Sequence, residues 1–434
     1  MKALVKSFIL SLVVIAFVVT ALAYWRGARE TASQFPSQAT AQSTAQQIQR
    51  GAYLVKAGNC MACHTARGGA EFAGGRVMPT AFGQFYTPNI TPDVATGIGK
   101  WTKDDFWRAL HDGKAPEGKL LYPAFPYTEY TKVTRPDSDA MFAYLHSLPA
   151  VAQKNVPHQL DFPYSQRGLL IFWRSLFFKA EVFQTDAKQS VQWNRGAYLV
   201  QGLGHCATCH TDRNWLGGSS GEALAGAEIP GLNWYATSLI SDAESGHNSL
   251  SVEQLVQRLQ QGVSDHGRVY GPMTEVVKES LQYLEKADLE AMVLYLKSQQ
   301  QSNPPKQSEM AEQDKPSERE LQGAMYRGEK IYKDNCIECH QADGSGALPA
   351  YPALAGSRLV NLTSSTNLTR IILNGGFAPS TQHNPEPYGM PPFAQTLSSQ
   401  DIADVASYIR NSWGNHGSLL IESQVDRYRG QASR

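Results

Sequence analysis

A five-residue pattern, Cys-x-x-Cys-His, occurs three times in this 434-residue chain and uses all six of its cysteines. Two thiols at this spacing can each form a thioether with one vinyl group of a haem, and the next residue's imidazole can then ligate the iron. Because no thiol remains for a disulfide or a zinc site, the pattern predicts three covalent c-type haems. The predicted attachment residues are Cys60, Cys63, Cys206, Cys209, Cys336 and Cys339, and the predicted iron ligands after them are His64, His210 and His340.

The repeat is wider than the cysteine pattern. The sequence Arg-Gly-Ala-Tyr-Leu-Val stands at residues 50–55 and again at 195–200, and a looser copy stands at 327–332. Each copy predicts a short helix that leads into a haem site, which we call the leading helix. A second, closing helix is predicted at the end of each repeat, because apolar residues recur at i, i+3, i+4 and i+7. These apolar series lie at residues 141–148, 289–296 and 402–409.

Internal repeats of this kind define the architecture. The chain is too long for one small core, and three units of about 100 residues match the usual domain size. The predicted fold is mostly α-helical, with three tandem domains behind an N-terminal signal or membrane-anchor segment. The predicted boundaries are 1–30 for the signal or anchor helix, 31–47 for a linker, 48–150 for domain 1, 151–192 for a connector with an aromatic helix, 193–300 for domain 2, 301–320 for a second linker, 321–416 for domain 3 and 417–434 for a tail.

The composition excludes some classes of partner and of chain. Lysine plus arginine and aspartate plus glutamate both total 39, so the formal net charge is zero and no nucleic-acid partner is expected. With 42% hydrophobic and 10% aromatic residues, the chain has the composition of a folded protein and not of a disordered one.

The N-terminal segment has two interpretations. Two lysines precede an almost wholly apolar run at residues 8–23. The Ala-Leu-Ala at its end suits cleavage of a signal peptide, whereas residues 4–25 are long enough to remain as a membrane anchor. We favour the anchor. Either interpretation places the bulk of the chain on the periplasmic side of the cell's inner membrane.

The connector contains an aromatic stretch at residues 168–178. This stretch is too short, and too interrupted by Arg174, to cross a membrane. We predict a helix that packs between domains 1 and 2. The alternative is an exposed aromatic surface that docks a partner protein or the membrane face.

A haem that only transfers electrons is usually closed by a second axial ligand, and methionine is common because its thioether raises the reduction potential. Met273 and Met390 each follow glycine or Gly-Pro in a loop ahead of a closing helix, so both are predicted iron ligands. Domain 1 has Phe125 at the corresponding place, and phenylalanine cannot ligate iron. The first haem is therefore either five-coordinate or closed by another residue, for which Met78 and His111 are the candidates.

Both candidates have a simpler explanation. Met78 is explained at least as well as a methionine that packs in a loop. His111 lies in a predicted helix at residues 104–111, where a surface or capping role is more common. His205, next to Cys206, has no partner pattern and is interpreted as structural.

The order of leading helix, haem loop, irregular loop and closing helix resembles a class I cytochrome c domain, repeated three times. Two further stretches, Pro-Asn-Ile-Thr-Pro-Asp at 88–93 and Ile-Arg-Asn-Ser-Trp-Gly at 409–414, add to this likeness. From about residue 48 to 416, the chain resembles the membrane-anchored triple-haem cytochrome c subunit of bacterial dehydrogenase complexes.

The resemblance implies that the Cys-x-x-Cys-His residues bind haem, with Met273 and Met390 as distal ligands. It also implies that electrons pass from a large dehydrogenase subunit to ubiquinone or a terminal oxidase. That subunit is a quinoprotein, a flavoprotein or a molybdenum hydroxylase. The family's first domain often has methionine where Phe125 stands here. Because phenylalanine is more frequent there in the molybdenum-hydroxylase branch, that partner ranks slightly first.

Three functions agree with these features. The first is an electron-transfer subunit without substrate chemistry of its own, because the chain has no nucleotide-phosphate loop, hydrolytic triad or flavin fingerprint. The second is a haem enzyme, such as a peroxidase, that uses an open first haem. The third is a stand-alone, membrane-tethered electron carrier.

Overall fold

The structure is a computed structural model that describes residues 14, 17–28, 44–265, 267–300 and 318–430. Most of both predicted linkers, and the start of the apolar N-terminal run, lie outside these residues. The chain divides into two compact units. The first unit comprises residues 1–186, 200–208 and 213–221, and the second comprises 187–199, 209–212 and 222–434. This division separates no middle unit, so the boundaries of the three domains stay a prediction.

The first unit consists mainly of short helices around a small antiparallel sheet. Its helices are α1 (Thr44–Ala57), α2 (Cys60–His64), α3 (Lys103–Asp112), α4 (Tyr127–Tyr130), α5 (Arg135–Ser147) and α6 (Leu170–Phe177). Its sheet has the order β1-β2-β3, with β1 (Val77–Thr80), β2 (Gly83–Tyr86) and β3 (Gln159–Leu160). Thr102 begins α3 with a capping box, in which its hydroxyl accepts from the Asp105 N–H and the Asp105 carboxylate accepts from the Thr102 N–H.

The second unit is also helical, with three two-stranded antiparallel ribbons among its described residues. Its helices are α7 (Val191–Tyr198), α8 (Ala207–His210, which begins in the first unit), α9 (Asp242–Ser245), α10 (Val252–Gln261), α11 (Pro272–Glu279), α12 (Lys286–Ser298), α13 (Glu318–Asn335), α14 (Ile337–His340), α15 (Arg358–Asn361), α16 (Thr366–Asn374), α17 (Ser399–Arg410) and α18 (Glu422–Arg429). The ribbons pair β4 (Ala227–Ile229) with β5 (Trp234–Ala236), β6 (Val263–Ser264) with β7 (Gly267–Arg268), and β8 (Gly376–Phe377) with β9 (Gly389–Met390).

The predicted leading and closing helices are confirmed, and each pair crosses at a glycine. The leading helices are α1, α7 and α13, and the closing helices are α5, α12 and α17. The glycine of the repeated Arg-Gly pair lies at the crossing, where the lack of a side chain lets the two backbones approach. A Cβ on Gly51 would lie 1.9 Å from the Ala140 oxygen, and one on Gly196 would lie 1.9 Å from the Ala291 oxygen. A Cβ on Gly328 would lie 2.3 Å from the Asp404 oxygen.

The arginine of the same Arg-Gly pair forms an ion pair across each crossing. Its Nε atom lies 2.6–2.9 Å from an aspartate oxygen of the closing helix, in the pairs Arg50–Asp137, Arg195–Asp288 and Arg327–Asp404. Asp404 is itself the residue that Gly328 contacts, whereas Asp137 lies one turn before Ala140, the residue that Gly51 contacts. In the third closing helix the position equivalent to Asp137 is Asp401. Because its side chain caps the helix start with Ser398, Arg327 pairs with Asp404 instead. The repeated Arg-Gly dipeptide is therefore a helix-crossing motif.

The connector contains the predicted helix, α6. Arg174 is 2% exposed, and its guanidinium donates to the carbonyl oxygens of Gly27, at 3.0 Å, and Asp112. On the same helix, the Trp173 indole donates to the Leu216 carbonyl oxygen at 2.9 Å. Leu176 remains 69% exposed. The connector helix thus packs on residues of predicted domain 1 and predicted domain 2 within the first unit.

The described part of the N-terminal run, residues 17–28, is helical and mostly exposed. Two cations bind the backbone of its last described residues, because the Lys114 ammonium donates to the Ala28 carbonyl oxygen at 2.9 Å and Arg174 donates to that of Gly27. Of the helices in the described ranges, none is both long and apolar enough to cross a membrane.

Candidate haem-binding sites

Each predicted iron-binding histidine has one ring nitrogen fixed by a backbone carbonyl. The Nδ1 atoms of His64, His210 and His340 lie 2.8, 2.6 and 3.0 Å from the oxygens of Pro88, Thr237 and Pro352, respectively. A carbonyl can only accept a hydrogen bond, so Nδ1 carries the proton and Nε2 keeps its lone pair. This arrangement sets both the tautomer and the ring orientation that an iron ligand needs.

Burial also favours the neutral form of these imidazoles. The pKa of His64, of His210 and of His340 is lowered because the surrounding protein desolvates the charged form, and the carbonyl hydrogen bond offsets this only in part. A neutral imidazole is the form that binds metal. The sequence predicted the histidines, but the carbonyl partners lie 12 to 27 residues further along the chain and were not predicted.

The cysteines lie on or next to single helical turns that end in the histidine. The first motif forms α2, and the second and third end in α8 and α14. Burial, and secondarily the neighbouring Cys63, raises the pKa of Cys60 to about 12, and burial raises that of Cys336 to about 11. An environment that disfavours a thiolate suits a thioether, which carries no charge.

The donor set fits iron that is delivered within a porphyrin. Among the residues that the structure describes, no group of three or more His, Cys, Asp or Glu side chains is placed to hold a bare metal ion. Each histidine instead stands one position after a cysteine pair, as covalent haem attachment requires. The six cysteines, which form no disulfide here, and the three histidines are thus placed as covalent haem c requires.

The predicted distal methionines lie in different local structures. Met273 is in the first turn of α11 and Met390 is in β9, so the loop expected for both is wrong at this level of detail. A helix and a β-ribbon begin within the two segments that were expected to be loops. Met390 packs against the same buried cluster as Cys336, a cluster that contains Tyr332 and Leu373. The structure therefore brings Met390 and the third motif to one apolar core, and ligation by both methionines stays a prediction.

The first site differs, as the sequence indicates. The Phe125 ring packs on the Tyr130 ring, with centroids 5.4 Å apart. Met78 lies in β1 opposite Phe85 and not in a loop, and it packs on the cluster of Phe85, Tyr122 and Leu170. Its role as an iron ligand stays a prediction.

His111 is in the predicted helix, but the surface position expected for it is wrong. The side chain is fully buried, because its ring stacks on Trp107 at a centroid distance of 4.6 Å. Its Nδ1 atom lies 2.8 Å from the Thr131 carbonyl oxygen. An amphipathic helix pattern does not separate a buried polar residue from a surface one when tertiary partners satisfy it.

These sites define the class of protein, and comparison with known proteins agrees. The family model described as cytochrome c matches residues 48–149 and 325–413. The gluconate 2-dehydrogenase cytochrome c subunit of Pantoea cypripedii is 38% identical over 87% of this chain and 88% of its own length. The cytochrome c subunit of the quinone alcohol dehydrogenase of Gluconobacter oxydans is 36% identical, over 85% and 79%. The fructose dehydrogenase cytochrome subunit of Gluconobacter japonicus is 34% identical, over 88% and 82%.

The chain is therefore a c-type cytochrome. More particularly, it belongs to the family of cytochrome c subunits of dehydrogenase complexes. The predicted family is confirmed, and with it electron transfer as the general role and a large dehydrogenase as the type of partner. The peroxidase-like enzyme and the stand-alone carrier are not favoured by these relatives.

Proposed function

We propose that this chain carries three covalent haems and passes electrons from a dehydrogenase's cofactor to ubiquinone or a terminal acceptor. The single observation that supports three haems is the repeated geometry of His64, His210 and His340. The Nδ1 atom of each is hydrogen-bonded to a backbone carbonyl. The middle motif shares this geometry with the first and third, although the cytochrome c family model matches only the residues around those two. Haem c, when bound, supplies one-electron redox chemistry.

The protein's own groups would attach, orient and shield the haems. The cysteine pairs hold the porphyrin, and the carbonyl-bound histidines present Nε2 in one orientation. The crossed helices keep each motif in a rigid frame through their glycine contacts and ion pairs. A rigid frame keeps reorganisation small when an electron arrives or leaves.

We also propose a location and a partner for the chain. We place the chain on the periplasmic side of the inner membrane, with the helix that includes residues 17–28 as part of an anchor. The backbone of Gly27 and Ala28 is held by Arg174 and Lys114, so an anchor there would be joined firmly to the first unit. The partner is a large dehydrogenase subunit, and the molybdenum hydroxylase type remains the first choice on sequence grounds alone, through Phe125.

Purification of the full chain from the cells that make it tests this function. We expect a large dehydrogenase subunit in stoichiometric amount, whose substrate reduces the haems of this chain. Isolation of the chain alone, with full reduction by a small donor, would instead indicate a stand-alone carrier. Turnover of peroxide by the isolated chain would indicate a haem enzyme.

Replacing Met273 or Met390 by leucine should change the spectrum of one haem in each variant. Leucine keeps the apolar volume but cannot ligate iron, so a low-spin ferric signal should become high-spin and one midpoint potential should fall. Electron paramagnetic resonance and an optical redox titration measure both effects. Met292→Leu is the matched control, because Met292 is 2% exposed on α12 and belongs to the buried core. A wild-type spectrum in Met390→Leu would exclude Met390 as a ligand.

A further inference from the structure

Tyr130 connects to the first haem-attachment motif through a hydrogen bond. Its side chain is 5% exposed, and its hydroxyl donates to the Gly58 carbonyl oxygen at 2.6 Å. Gly58 stands two residues before Cys60, and a Cβ on it would lie 3.4 Å from the Cys60 sulfur. The tyrosine is therefore bonded to the backbone that carries the first thioether position.

The same tyrosine contacts the residue next to the second motif. The His205 and Tyr130 rings make an edge-to-face contact, at a centroid distance of 5.3 Å and an interplanar angle of 81°. His205 immediately precedes Cys206. Its backbone has a φ of 38°, which is rare for a residue with a side chain and turns the chain sharply before the cysteine.

Local backbone features hold His205 in this place. The helix α7 continues into a π-helical turn at Leu199–Leu203, and the His205 N–H donates to the Gly202 carbonyl oxygen at 3.1 Å. π-Turns within helices are often found at functional sites. Burial lowers the pKa of His205 to about 4, so its ring is neutral at physiological pH. The two attachment segments also approach closely, because a Cβ built on Gly58 would lie 3.7 Å from the Leu203 side chain.

Resting on the three-haem function proposed above, we infer that Tyr130 and His205 are positioning residues that couple the first two haems for electron exchange. They complete a path from Cys60 through the Gly58 carbonyl, the Tyr130 hydroxyl and ring, and the His205 ring to Cys206. Electrons tunnel more readily along covalent bonds, hydrogen bonds and van der Waals contacts than across gaps. The haems that Cys60, Cys63, Cys206 and Cys209 would hold would supply the one-electron chemistry, with the reduced iron of one being oxidised as the iron of the other is reduced. Neither side chain gains or loses an electron or a proton.

A second tyrosine in the same unit provides a matched control. Tyr122 is 8% exposed, and its hydroxyl donates to the Tyr164 carbonyl oxygen at 3.0 Å. Its ring meets the His158 ring edge-on, at 5.6 Å and 83°. Tyr122 thus has the burial, hydrogen bond and histidine contact of Tyr130, but no Cys-x-x-Cys-His motif adjoins its partners.

The test compares Tyr130→Leu, Tyr130→Phe and the corresponding Tyr122 variants in the full, matured chain. The rate of electron exchange between haems is measured after a light-induced reduction pulse, together with haem content and the midpoint potentials. Loss of the bridging ring in Tyr130→Leu should slow exchange between the first two haems by about tenfold, with the potentials unchanged. Tyr130→Phe should slow it less, because only the hydrogen bond to Gly58 is lost. Both Tyr122 variants should retain the wild-type rate.

A wild-type exchange rate in Tyr130→Leu, with three haems still attached, would overturn the inference. If that variant does not mature, Tyr130→Phe is the deciding variant, because it keeps the ring and the packing. An electron-exchange rate equal to that of Tyr122→Phe would then also overturn the inference. Failure of the three-haem function has a different signature. A wild-type chain that lacks three haems contradicts that function before any rates are compared.

Discussion

Serine in place of both Cys336 and Cys339 is expected to lower the haem content of the mature chain from three to two. A hydroxyl does not form the thioether that attaches haem, and His340 alone would hold the porphyrin only as a dissociable ligand. Intact mass under denaturing conditions is the measurement, because only covalently bound haem remains in that spectrum. The same loss of one haem should follow from the double substitution at Cys60 and Cys63, and from that at Cys206 and Cys209.

The control for this prediction is substitution of a residue inside the motif that takes no part in attachment. Ile337 lies between the two cysteines of the third motif, and Ile337→Val should leave the mass increment of three haems unchanged. The two-haem chain should also unfold at a lower temperature, because a tightly held group that binds only the folded state stabilises it. An unchanged mass increment in the double cysteine variant would exclude covalent haem at this motif.

Alanine at Gly196 is expected to destabilise the second unit by ~3 kcal/mol or more, at the upper end of the cost of overpacking. The new Cβ would lie 1.9 Å from the Ala291 carbonyl oxygen and 2.4 Å from its carbon, so helices α7 and α12 would have to separate. Glycine to alanine within a helix normally stabilises it by about 1 kcal/mol. A net loss would therefore show that the crossing, and not helix propensity, dominates at this position.

Thermal unfolding, together with the yield of mature haem protein, measures this effect. Gly51→Ala should behave in the same way, because its Cβ would meet the Ala140 carbonyl oxygen at the same 1.9 Å. Gly168→Ala is the control, since Gly168 is exposed and a Cβ there meets no atom within 4 Å. An unfolding temperature of Gly196→Ala equal to that of Gly168→Ala would contradict the role given to the crossing.

The leading and closing helices could be predicted because their signals are local. Repeated Arg-Gly pairs and apolar residues at i, i+3, i+4 and i+7 are readable within a dozen residues, and all six predicted helices are present. The ion pairs across the crossings could not be assigned. Arg50 and Asp137 are 87 residues apart, and Arg327 selects Asp404 because Asp401 is occupied at the helix start. Competition between local and distant partners decides such pairs.

The expectations that failed concern the surroundings of single side chains. Of the surface and capping roles considered for His111, the surface role is wrong, because a neighbouring segment covers that face of α3 and supplies the Thr131 carbonyl as a partner. The structural role predicted for His205 stays a prediction, and its contact with Tyr130 spans 75 positions of the chain that no sequence pattern links. Methionines 273 and 390 lie in a helix and a strand that are too short to be predicted.

By itself, the sequence predicted where haem would be attached, which nitrogen-bearing residue follows each attachment point, and which helices frame it. These features depend on covalent spacing and on periodicity over a few turns. Only the tertiary structure decided which carbonyl fixes each histidine, which aspartate pairs with each arginine, and which side chains join the first two motifs. Such choices depend on distances in space between residues far apart in the chain, and these distances exist only after the helices have packed.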